Sequence, residues 1–546
     1  MDAYSSDEEE SASRPPRRLI INVANTQYDV VKDVARELHW KLSLKEEDEN
    51  WDICWIDTGM TPDRLMHMKP YQKINHFPGM YTLARKNTLA VNLNNLKRLF
   101  PTLYDFFPPT WILPLDGADF RAQFNEKRAK TFIVKPEASC QGRGIFLTRH
   151  YESINPEERY VVQRYLHRPF LLDGLKFDLR IYVLVSGCEP LRVFIHEEGL
   201  ARFATEPYAA PTKGNLSEMC MHLTNYAINK NSPNFVFNSS DTADDIGHKK
   251  SLTALLRILR ERGHDTDVLW EEIKQIVLRT LFCAQPMLSQ IYRACQPYDP
   301  ANGMCFEILG FDIFLDHKLK PWMLEVNHSP SFTTDTPLDH AIKHRVIMDA
   351  IALLGISSDN REKYFSQVKV QMQQRASKGR NFNALRQERQ GMHYQAVQER
   401  DRLEAEHCGG FTKIYPNRDP VADELLEGAM KVWMEQTGGK PKVRKPEMKS
   451  EKPPKPRMLV CKPKLEPAQE EPTPRMPRLI RQPSLERTEL PHYMTQTASQ
   501  SRLLLIEEQR KRVVTRAARS VLQSPGEFLK PKVLEFAQWE RQWSPR

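Results

Sequence analysis

Long apolar runs are absent from this 546-residue chain, and no stretch is long enough to cross a bilayer as a helix. The nine cysteines form no CxxC pair and show no Cys/His spacing of a zinc site, so we expect reduced thiols and no disulfide framework. Residues 1–10 have neither the basic segment nor the apolar segment of a secretory signal. We therefore expect neither secretion nor membrane insertion.

Several binding signatures are also missing. The chain has no GxxxxGK[ST] phosphate loop, no RNA- or DNA-binding motif with interleaved aromatic residues, and no internal repeat of fixed period. The formal net charge of +9 nevertheless indicates an anionic partner. Composition alone leaves nucleic acid, an acidic membrane surface and acidic protein tails open as that partner.

The length favours two or three packed lobes with additional segments. Strand-like patterns come first and helical patterns later, up to about residue 355, which predicts an α+β enzyme with lobes around a cleft. Beyond that point the sequence becomes charged and rich in proline. The predicted divisions are a disordered acidic leader at 1–18, an N-terminal α/β lobe at 19–110, a central lobe at 111–190, a C-terminal lobe with a metal site at 191–355, a basic helical extension at 356–405 and a mostly disordered Pro- and Lys-rich tail at 406–546.

Residues 305–327 contain two apolar segments around a polar turn, which predicts a β-hairpin. In the natural register Asp312 lies opposite Glu325, and Asn327 shares the face of Glu325 while Leu324 points to the other side. Two carboxylates and an amide oxygen are the hard ligands that magnesium prefers. A solvated hairpin edge is the alternative, but unpaired acids in an otherwise apolar pattern are costly to bury, which favours a metal.

Two further segments predict a phosphate-binding region. A strand ends at Lys135 and leads into a loop that contains Gly142 and Gly144, where an ammonium and backbone N–H groups could surround a phosphate chain. An ordinary hairpin gives the same pattern. Farther on, Lys176 and Arg180 flank Asp178 at strand spacing, so the three charges share one face, with a solvated strand as the alternative.

Together these segments resemble the tubulin tyrosine ligase-like family, an ATP-grasp relative, over roughly residues 70 to 355. Within it the chain is most similar to the autonomous glutamylating enzymes of the elongating type. The resemblance implies an ATP-grasp-like, multi-lobed ligase core at 111–355, followed by the basic extension and the disordered tail. The motifs that carry it are Asn75-His-Phe-Pro-Gly-Met80, Lys135-Pro136 with Gln141-Gly-Arg-Gly-Ile145, Lys176-Phe-Asp-Leu-Arg180, Glu198-Gly-Leu-Ala-Arg-Phe203, His222-Leu-Thr-Asn-Tyr226 and Leu324-Glu-Val-Asn-His-Ser-Pro330.

The resemblance also implies roles for matching positions. Two magnesium ions are expected at Asp312, Glu325 and Asn327, and the residues with a catalytic role are Lys135, Glu325 and Arg202. The incoming glutamate is expected at Arg202, Tyr226, Ala227 and Lys249, and the protein substrate at Gln141 and His328. The implied ATP contacts are Lys135, Gln141, Gly142, Gln163, Arg164, Tyr165, Leu166, Lys176, Phe177, Asp178, Thr224 and Asn225.

The activity implied is ATP-dependent addition of free L-glutamate to glutamate side chains in the acidic C-terminal tails of tubulin, through an acyl phosphate. A monomer in the cytoplasm is expected, on the cytoskeleton and at the cilium or basal body, without membrane or nucleic acid. After Met80 the segment from Tyr81 to Asn92 departs from the family pattern, so a microtubule-binding pseudoenzyme remains an alternative. A glycine-adding ligase of the same family is another.

The basic extension has a one-sided charge. Between Arg361 and Arg389 there are eight Lys or Arg residues and two acids. A solvated helix is the alternative, but the excess of basic residues favours contact with a polyanion. The resemblance indicates the acidic microtubule surface as that polyanion. The residues predicted to make that contact are Arg361, Lys363, Lys369, Arg375, Lys378 and Arg380.

Overall fold

Residues 17–438 are described by the structure, a computed structural model, apart from 126–128, 138–140, 239–244, 298, 300, 378–381 and 418. The side chains of 367, 370–377, 382–390 and 392–393 are likewise outside the description. Most of the predicted leader and of the predicted tail therefore lies outside the described residues. Within the described ranges no helix is both long enough and apolar enough to cross a membrane.

The described elements alternate between strands and helices along the chain. The strands are β1 Ile20–Asn25, β2 Lys41–Ser43, β3 Ile53–Ile56, β4 Lys73–Ile74, β5 Thr110–Leu113, β6 Phe132–Pro136, β7 Phe146–Thr148, β8 Tyr160–Arg164, β9 Leu171–Leu172, β10 Leu175–Cys188, β11 Leu191–Phe203, β12 Lys249–Ser251, β13 Glu307–Leu315, β14 Pro321–Asn327 and β15 Phe411–Tyr415. The helices are α1 Asp29–Glu37, α2 Pro62–His67, α3 Tyr81–Ala84, α4 Lys86–Leu99, α5 Gly117–Ala122, α6 Met219–His222, α7 Tyr226–Asn229, α8 Leu252–Glu261, α9 Thr266–Phe282, α10 Gln285–Cys295, α11 Pro337–Leu353, α12 Asp359–Ser377, α13 Phe382–Glu406 and α14 Pro420–Thr437.

The N-terminal sheet has the strand order β2-β1-β3-β4, and its strands are parallel. Ile21 and Val23 on β1 are buried, and α1 covers them with Val30 and Val34, which recur at helical spacing. The helix α4 ends at Leu99, two residues before a proline, because proline disfavours helical backbone before it.

The small antiparallel sheet has the order β5-β8-β6-β7. Phe132 and Val134 alternate with Ile133 and Lys135 along β6, so one face packs on Phe120 in a separate apolar core while the other faces the cleft. This alternation places the Lys135 ammonium at the cleft, as the strand pattern predicted.

The large antiparallel sheet has the order β12-β11-β10-β13-β14, with β9 paired to β10 and β15 to β11. Because β10 and β11 form one long hairpin around Glu189 and Pro190, the predicted boundary between a central lobe at 111–190 and a C-terminal lobe at 191–355 is wrong. The α+β fold class itself is confirmed.

The strand β15 and the helix α14 belong to the folded body, so the predicted start of a disordered tail at 406 is wrong for residues 411–437. β15 pairs with β11, and Phe411 is buried there. Ala422, Leu425 and Ala429 of α14 are buried on one face, at i, i+3 and i+7. The stripe is short and lies in a charged segment, so the composition of that segment does not indicate a buried helix.

Candidate active site

Charged side chains from four strands meet on one face of the large sheet. Lys176, Asp178 and Arg180 alternate along β10, as predicted. Arg180 lies opposite Asp312 on β13, and Asp312 lies opposite Glu325 on β14. The predicted register of the 305–327 hairpin is thus confirmed.

One residue of that hairpin departs from simple alternation. Asp312 pairs with Glu325 but Ile313 pairs with Met323, so Leu324 is an extra residue in a β-bulge. The expectation that Leu324 points away from Glu325 is wrong, since both side chains line the same pocket. The bulge changes the period of two at this position.

An inner pocket lies between the small and large sheets. Eleven of the predicted residues line it: Lys135, Gln163, Arg164, Tyr165, Leu166, Lys176, Asp178, Thr224, Asn225, Asp312 and Glu325. Further lining residues are Pro108, Ile133, Ile145, His222, Leu223, Phe314 and Leu324. The added residues are mostly apolar, so the pocket combines an apolar part with a charged part, which suits a base and a phosphate chain.

The first buried ammonium of the inner pocket belongs to Lys135. Its Nζ donates to Gln163 Oε1 at 2.7 Å, and Gln163 Nε2 donates to Thr110 Oγ1 at 3.0 Å. Burial lowers the pKa of Lys135 to about 8, although the nearby Glu325 carboxylate opposes that shift. An amine held in this state gains its charge most easily when an anion enters the pocket.

The second buried ammonium belongs to Lys176. Its Nζ donates to the His222 carbonyl oxygen at 2.6 Å and to Tyr165 Oη at 3.1 Å. Tyr165 Oη also lies 3.1 Å from His222 Nδ1, so the three side chains fix one another. Burial lowers the pKa of Lys176 to about 7, against the pull of Asp178.

The Asp312 carboxylate is held by two arginines. Arg180 Nε donates to Asp312 Oδ1 at 2.6 Å, and Arg202 Nη2 lies 2.9 Å from Asp312 Oδ2. Burial opposes ionisation, but the two guanidinium groups outweigh it and hold the pKa of Asp312 well below its usual range. Arg202 also forms an ion pair with Asp178, so it bridges the two carboxylates.

Glu325 is the candidate metal ligand with the least satisfied charge. Burial and the neighbouring Asp312 carboxylate raise the pKa of Glu325, against Lys135 and Lys86. Asn327 Nδ2 donates to Glu325 Oε1 at 3.3 Å, which brings the predicted trio together. Two adjacent carboxylates and an amide oxygen fit Mg²⁺, whose charge would relieve the crowding. Among the described residues no cluster of three His, Cys, Asp or Glu side chains could hold a metal, so the amide is needed for this site.

The glycine loop beside Lys135 adopts left-handed backbone. Gln141 has φ 58° and Gly142 has φ 81°. A Cβ at Gly142 would lie 2.6 Å from Ile228 Cδ1, so a side chain at this position would strain the backbone and displace the Ile228 side chain of α7. Gln141, Gly142 and Ala227 line one open cavity there.

An outer pocket adjoins the inner pocket and shares Ile145, Asn225 and Glu325 with it. The two residues predicted to contact a protein substrate, Gln141 and His328, both line it, as does Asn327. Arg85, Lys86 and Asn87 at the start of α4 also line it, and no role was predicted for them. The Arg-Lys pair was visible in the sequence, but its position beside β14 depends on the tertiary fold.

The predicted glutamate residues are only partly assembled. Lys249 on β12 lies opposite Arg202 on β11, and the Lys249 Nζ lies 3.5 Å from the centre of the Tyr226 ring. Asp339, however, binds the Lys249 ammonium at 2.7 Å. The side chains of Arg202, Tyr226 and Lys249 therefore lie together. An amino acid carboxylate would have to compete with Asp339 for Lys249 and with Asp312 for Arg202.

One predicted ATP residue turns away from the pocket. The Phe177 side chain is buried in the main apolar core against Phe203, so only its backbone is near the pocket. Alternation would have excluded it, since Lys176 and Asp178 face the site. The same rule would have found Ile133, two residues before Lys135, and Phe314, two residues after Asp312.

Taken with the fold, this cleft defines an α+β core of the ATP-grasp-like type. The sequence profile of the Tubulin-tyrosine ligase family matches residues 64–389, and the chain belongs to that family. It is 51% identical over 426 residues to a "Probable beta-tubulin polyglutamylase" of Tetrahymena thermophila, with 77% of this chain and 36% of the relative covered. It is 46% identical over 411 residues to "Tubulin polyglutamylase TTLL13" of Mus musculus, covering 74% and 50%, and 37% identical over 437 residues to "Tubulin polyglutamylase TTLL7" of Xenopus tropicalis, covering 76% and 48%. The chain spans between about a third and a half of the length of these relatives.

Proposed function

We propose that the chain is an ATP-dependent tubulin polyglutamylase that adds free L-glutamate to glutamate side chains of tubulin C-terminal tails and favours elongation of existing chains. The observation that carries the proposal is the inner pocket, where two buried lysines face Asp312 and Glu325 in a member of this family. The names of the relatives support the choice of substrate. The site of action proposed is cytoplasmic microtubules, including the cilium or basal body, with the enzyme acting as a monomer.

In the proposed reaction an acceptor carboxylate attacks the terminal phosphorus of ATP, ADP leaves, and an acyl phosphate forms. The amine of free glutamate then attacks the acyl carbon, phosphate leaves, and an isopeptide bond results. Lys135 and Lys176 would hold the phosphate chain, and Arg202 would hold a carboxylate of the donor. Asp312, Glu325 and Asn327 would hold two magnesium ions, which neutralise phosphate charge when bound.

The protein substrate would lie in the outer pocket. Gln141 and His328 line it together with Asn225 and Glu325, which also line the inner pocket, so an acceptor side chain there would lie beside the inner pocket. Arg85 and Lys86 add positive charge to that opening, which suits an acidic peptide. Glutamate is the proposed donor because Arg202 and Lys249 would hold its carboxylates once they exchange their ion pairs with Asp312 and Asp339.

The test is incorporation of labelled glutamate into microtubules with ATP and magnesium. Glu325→Gln should lower the rate about 100-fold, which corresponds to about 2.7 kcal/mol of lost transition-state stabilisation. Glu271→Gln is the matched control, because Glu271 is an exposed carboxylate on α9 that pairs with Lys274 and Gln275 of its own helix. Normal incorporation by Glu325→Gln would refute the site assignment.

The same preparation distinguishes the alternatives. Labelled glycine incorporated as well as glutamate would refute the donor assignment and favour the glycine-adding ligase. A parent protein that binds microtubules but neither binds ATP nor incorporates either amino acid would favour the pseudoenzyme.

A further inference from the structure

A buried threonine behind the inner pocket is linked to Lys135 by hydrogen bonds. The Lys135 Nζ donates to Gln163 Oε1 at 2.7 Å, and within the described ranges this is its one hydrogen bond. Gln163 Nε2 donates to Thr110 Oγ1 at 3.0 Å, and Thr110 Oγ1 donates to the Pro108 carbonyl oxygen at 2.7 Å. These hydrogen bonds lead from the ammonium to the backbone, and we call Gln163 and Thr110 the lysine support.

The lysine support follows the register of the small sheet. Thr110 on β5 lies opposite Gln163 on β8, and Gln163 lies opposite Ile133 on β6, two residues before Lys135. Opposite residues of antiparallel strands, and residues two apart on one strand, place their side chains on the same face. Lys135, Gln163 and Ile133 line the inner pocket from that face, whereas Thr110 is not among the lining residues. Thr110 therefore acts on the pocket only through Gln163.

The direction of each hydrogen bond is determined by the groups at its ends. The Pro108 carbonyl oxygen can only accept, so it takes the single hydroxyl proton of Thr110. The Thr110 oxygen is then left as an acceptor, which selects the NH2 end of the Gln163 amide and leaves Gln163 Oε1 facing Lys135. Without the hydroxyl the amide would be free to turn by half a rotation and present N–H groups to the Lys135 ammonium, which has no acceptor.

The other lysine of the inner pocket is held differently. Lys176 Nζ donates to the His222 backbone oxygen at 2.6 Å as well as to Tyr165 Oη at 3.1 Å. A backbone carbonyl on a folded segment cannot exchange its oxygen for an N–H group, whereas a side-chain amide can. The Lys135 ammonium thus depends on the orientation of one amide.

Burial makes this orientation matter. Thr110, Gln163 and Lys135 are 7%, 3% and 8% exposed, so water cannot readily replace a hydrogen bond that one of them loses. A buried donor without an acceptor is costly, and a lysine without a fixed partner has to be immobilised when a ligand binds.

We propose that Thr110 is a positioning residue for ATP binding, because its hydroxyl orients the Gln163 amide and the amide holds the Lys135 ammonium in place for a phosphate group. This inference rests on the proposed function, in which Lys135 holds the phosphate chain of ATP. Gln163 touches the pocket, and Thr110 determines which end of the Gln163 amide faces Lys135.

The first test is the ATP Kd of three threonine variants of the full chain, measured by titration calorimetry at pH 7. Thr110→Val keeps the shape but loses the hydroxyl, and should raise the Kd about tenfold, the loss expected when one long side chain is no longer held before binding. Thr110→Ser keeps the hydroxyl and should stay within about twofold of the parent. Thr280→Val is the matched control, since Thr280 is buried on α9 and its hydroxyl donates to the Ile276 carbonyl oxygen at 2.7 Å. It should lower the thermal midpoint and leave the ATP Kd unchanged.

A double-mutant cycle separates positioning from loss of stability. Gln163→Leu should raise the ATP Kd about as much as Thr110→Val, and the two changes together should raise it no further, because they interrupt the same chain of hydrogen bonds. The double variant leaves no Gln163 amide without a partner, so its thermal midpoint should lie above that of Thr110→Val while its ATP Kd stays raised.

Three results would overturn the inference: a parent-like Kd in Thr110→Val, losses that multiply in the double variant, or an affinity that recovers there together with the thermal midpoint. If Thr110→Val does not fold, Gln163→Leu and the double variant still decide, since a lower affinity in the double variant would show that Thr110 acts by another route. A parent protein that binds no ATP would instead overturn the proposed function.

Discussion

Binding of ATP to the inner pocket should be accompanied by proton uptake. Burial lowers the pKa of Lys135 to about 8 and that of Lys176 to about 7, so both amines are only partly charged near neutral pH. Phosphate oxygens would favour the charged amines and raise both pKa values toward their ordinary value of about 10.4. Because the complex then carries more protons than the free protein, the affinity for ATP should fall as the pH rises.

The size of this effect follows from the two pKa values. At pH 8 a group with a pKa of about 8 is about half protonated and one with a pKa of about 7 is about one-tenth protonated, so full protonation takes up about 1.4 protons. The association constant should then fall about 25-fold per pH unit near pH 8 and level off below about pH 6. The terminal phosphate of ATP is already ionised at pH 8 and contributes little.

Titration calorimetry without magnesium measures this directly, in several buffers of different ionisation enthalpy. The slope of the observed enthalpy against the buffer enthalpy gives the number of protons. Lys176→Met should reduce the uptake at pH 8 to about 0.5, whereas Lys213→Met, at an exposed lysine, should not change it. Proton uptake near zero in the parent, or the same proton uptake in Lys176→Met, would show that the lysine amines do not bind the phosphates of ATP.

Two other variants test the loop and the end of the folded body. Gly142→Ala should weaken ATP binding more than Gly174→Ala. Both glycines have positive φ, 81° and 78°, which costs alanine about 1 kcal/mol, but only at Gly142 would the Cβ meet Ile228. Equal ATP Kd values in the two variants would contradict this. A chain ended at residue 407 should lose its cooperative thermal transition in circular dichroism while one ended at 438 keeps it, because the shorter chain loses buried side chains such as Leu425, each worth about 2 kcal/mol. Similar midpoints in the two truncations would show that β15 and α14 are dispensable.

The sequence predicted best where one simple period governs a whole element. Leucines at helical spacing from Leu89 to Leu99, followed by Pro101, predict a helix over 86–99, and α4 has these bounds. The hairpin brings Asp312 opposite Glu325 because its two strands are apolar and its turn is polar. In both cases local chemistry and tertiary packing agree, so the pattern survives folding.

The errors arose where tertiary contacts changed a local pattern. A bulge between Asp312 and Ile313 turns Leu324 into the pocket, and no feature of the residues themselves marks that bulge. The pairing of Arg202 with Asp312 depends on the order of β11, β10 and β13, which local sequence patterns do not determine. The helix α14 could not be predicted because its short apolar stripe stabilises a helix only when it packs against α4, α9 and α10 in the folded protein.

The ion pairs of the candidate site limit how it can bind substrates. Arg202 already bridges Asp178 and Asp312, and Lys249 already binds Asp339, so neither cation is free for a donor carboxylate in this arrangement. A carboxylate that takes Arg202 would leave Asp312 with Arg180 as the remaining one of its two guanidinium partners, so the buried Asp312 carboxylate would favour a second positive partner. A divalent cation shared by Asp312 and Glu325 would supply that partner and would also relieve the raised pKa of Glu325. Cation binding and donor binding should therefore strengthen each other, and by linkage the two effects must be equal in size.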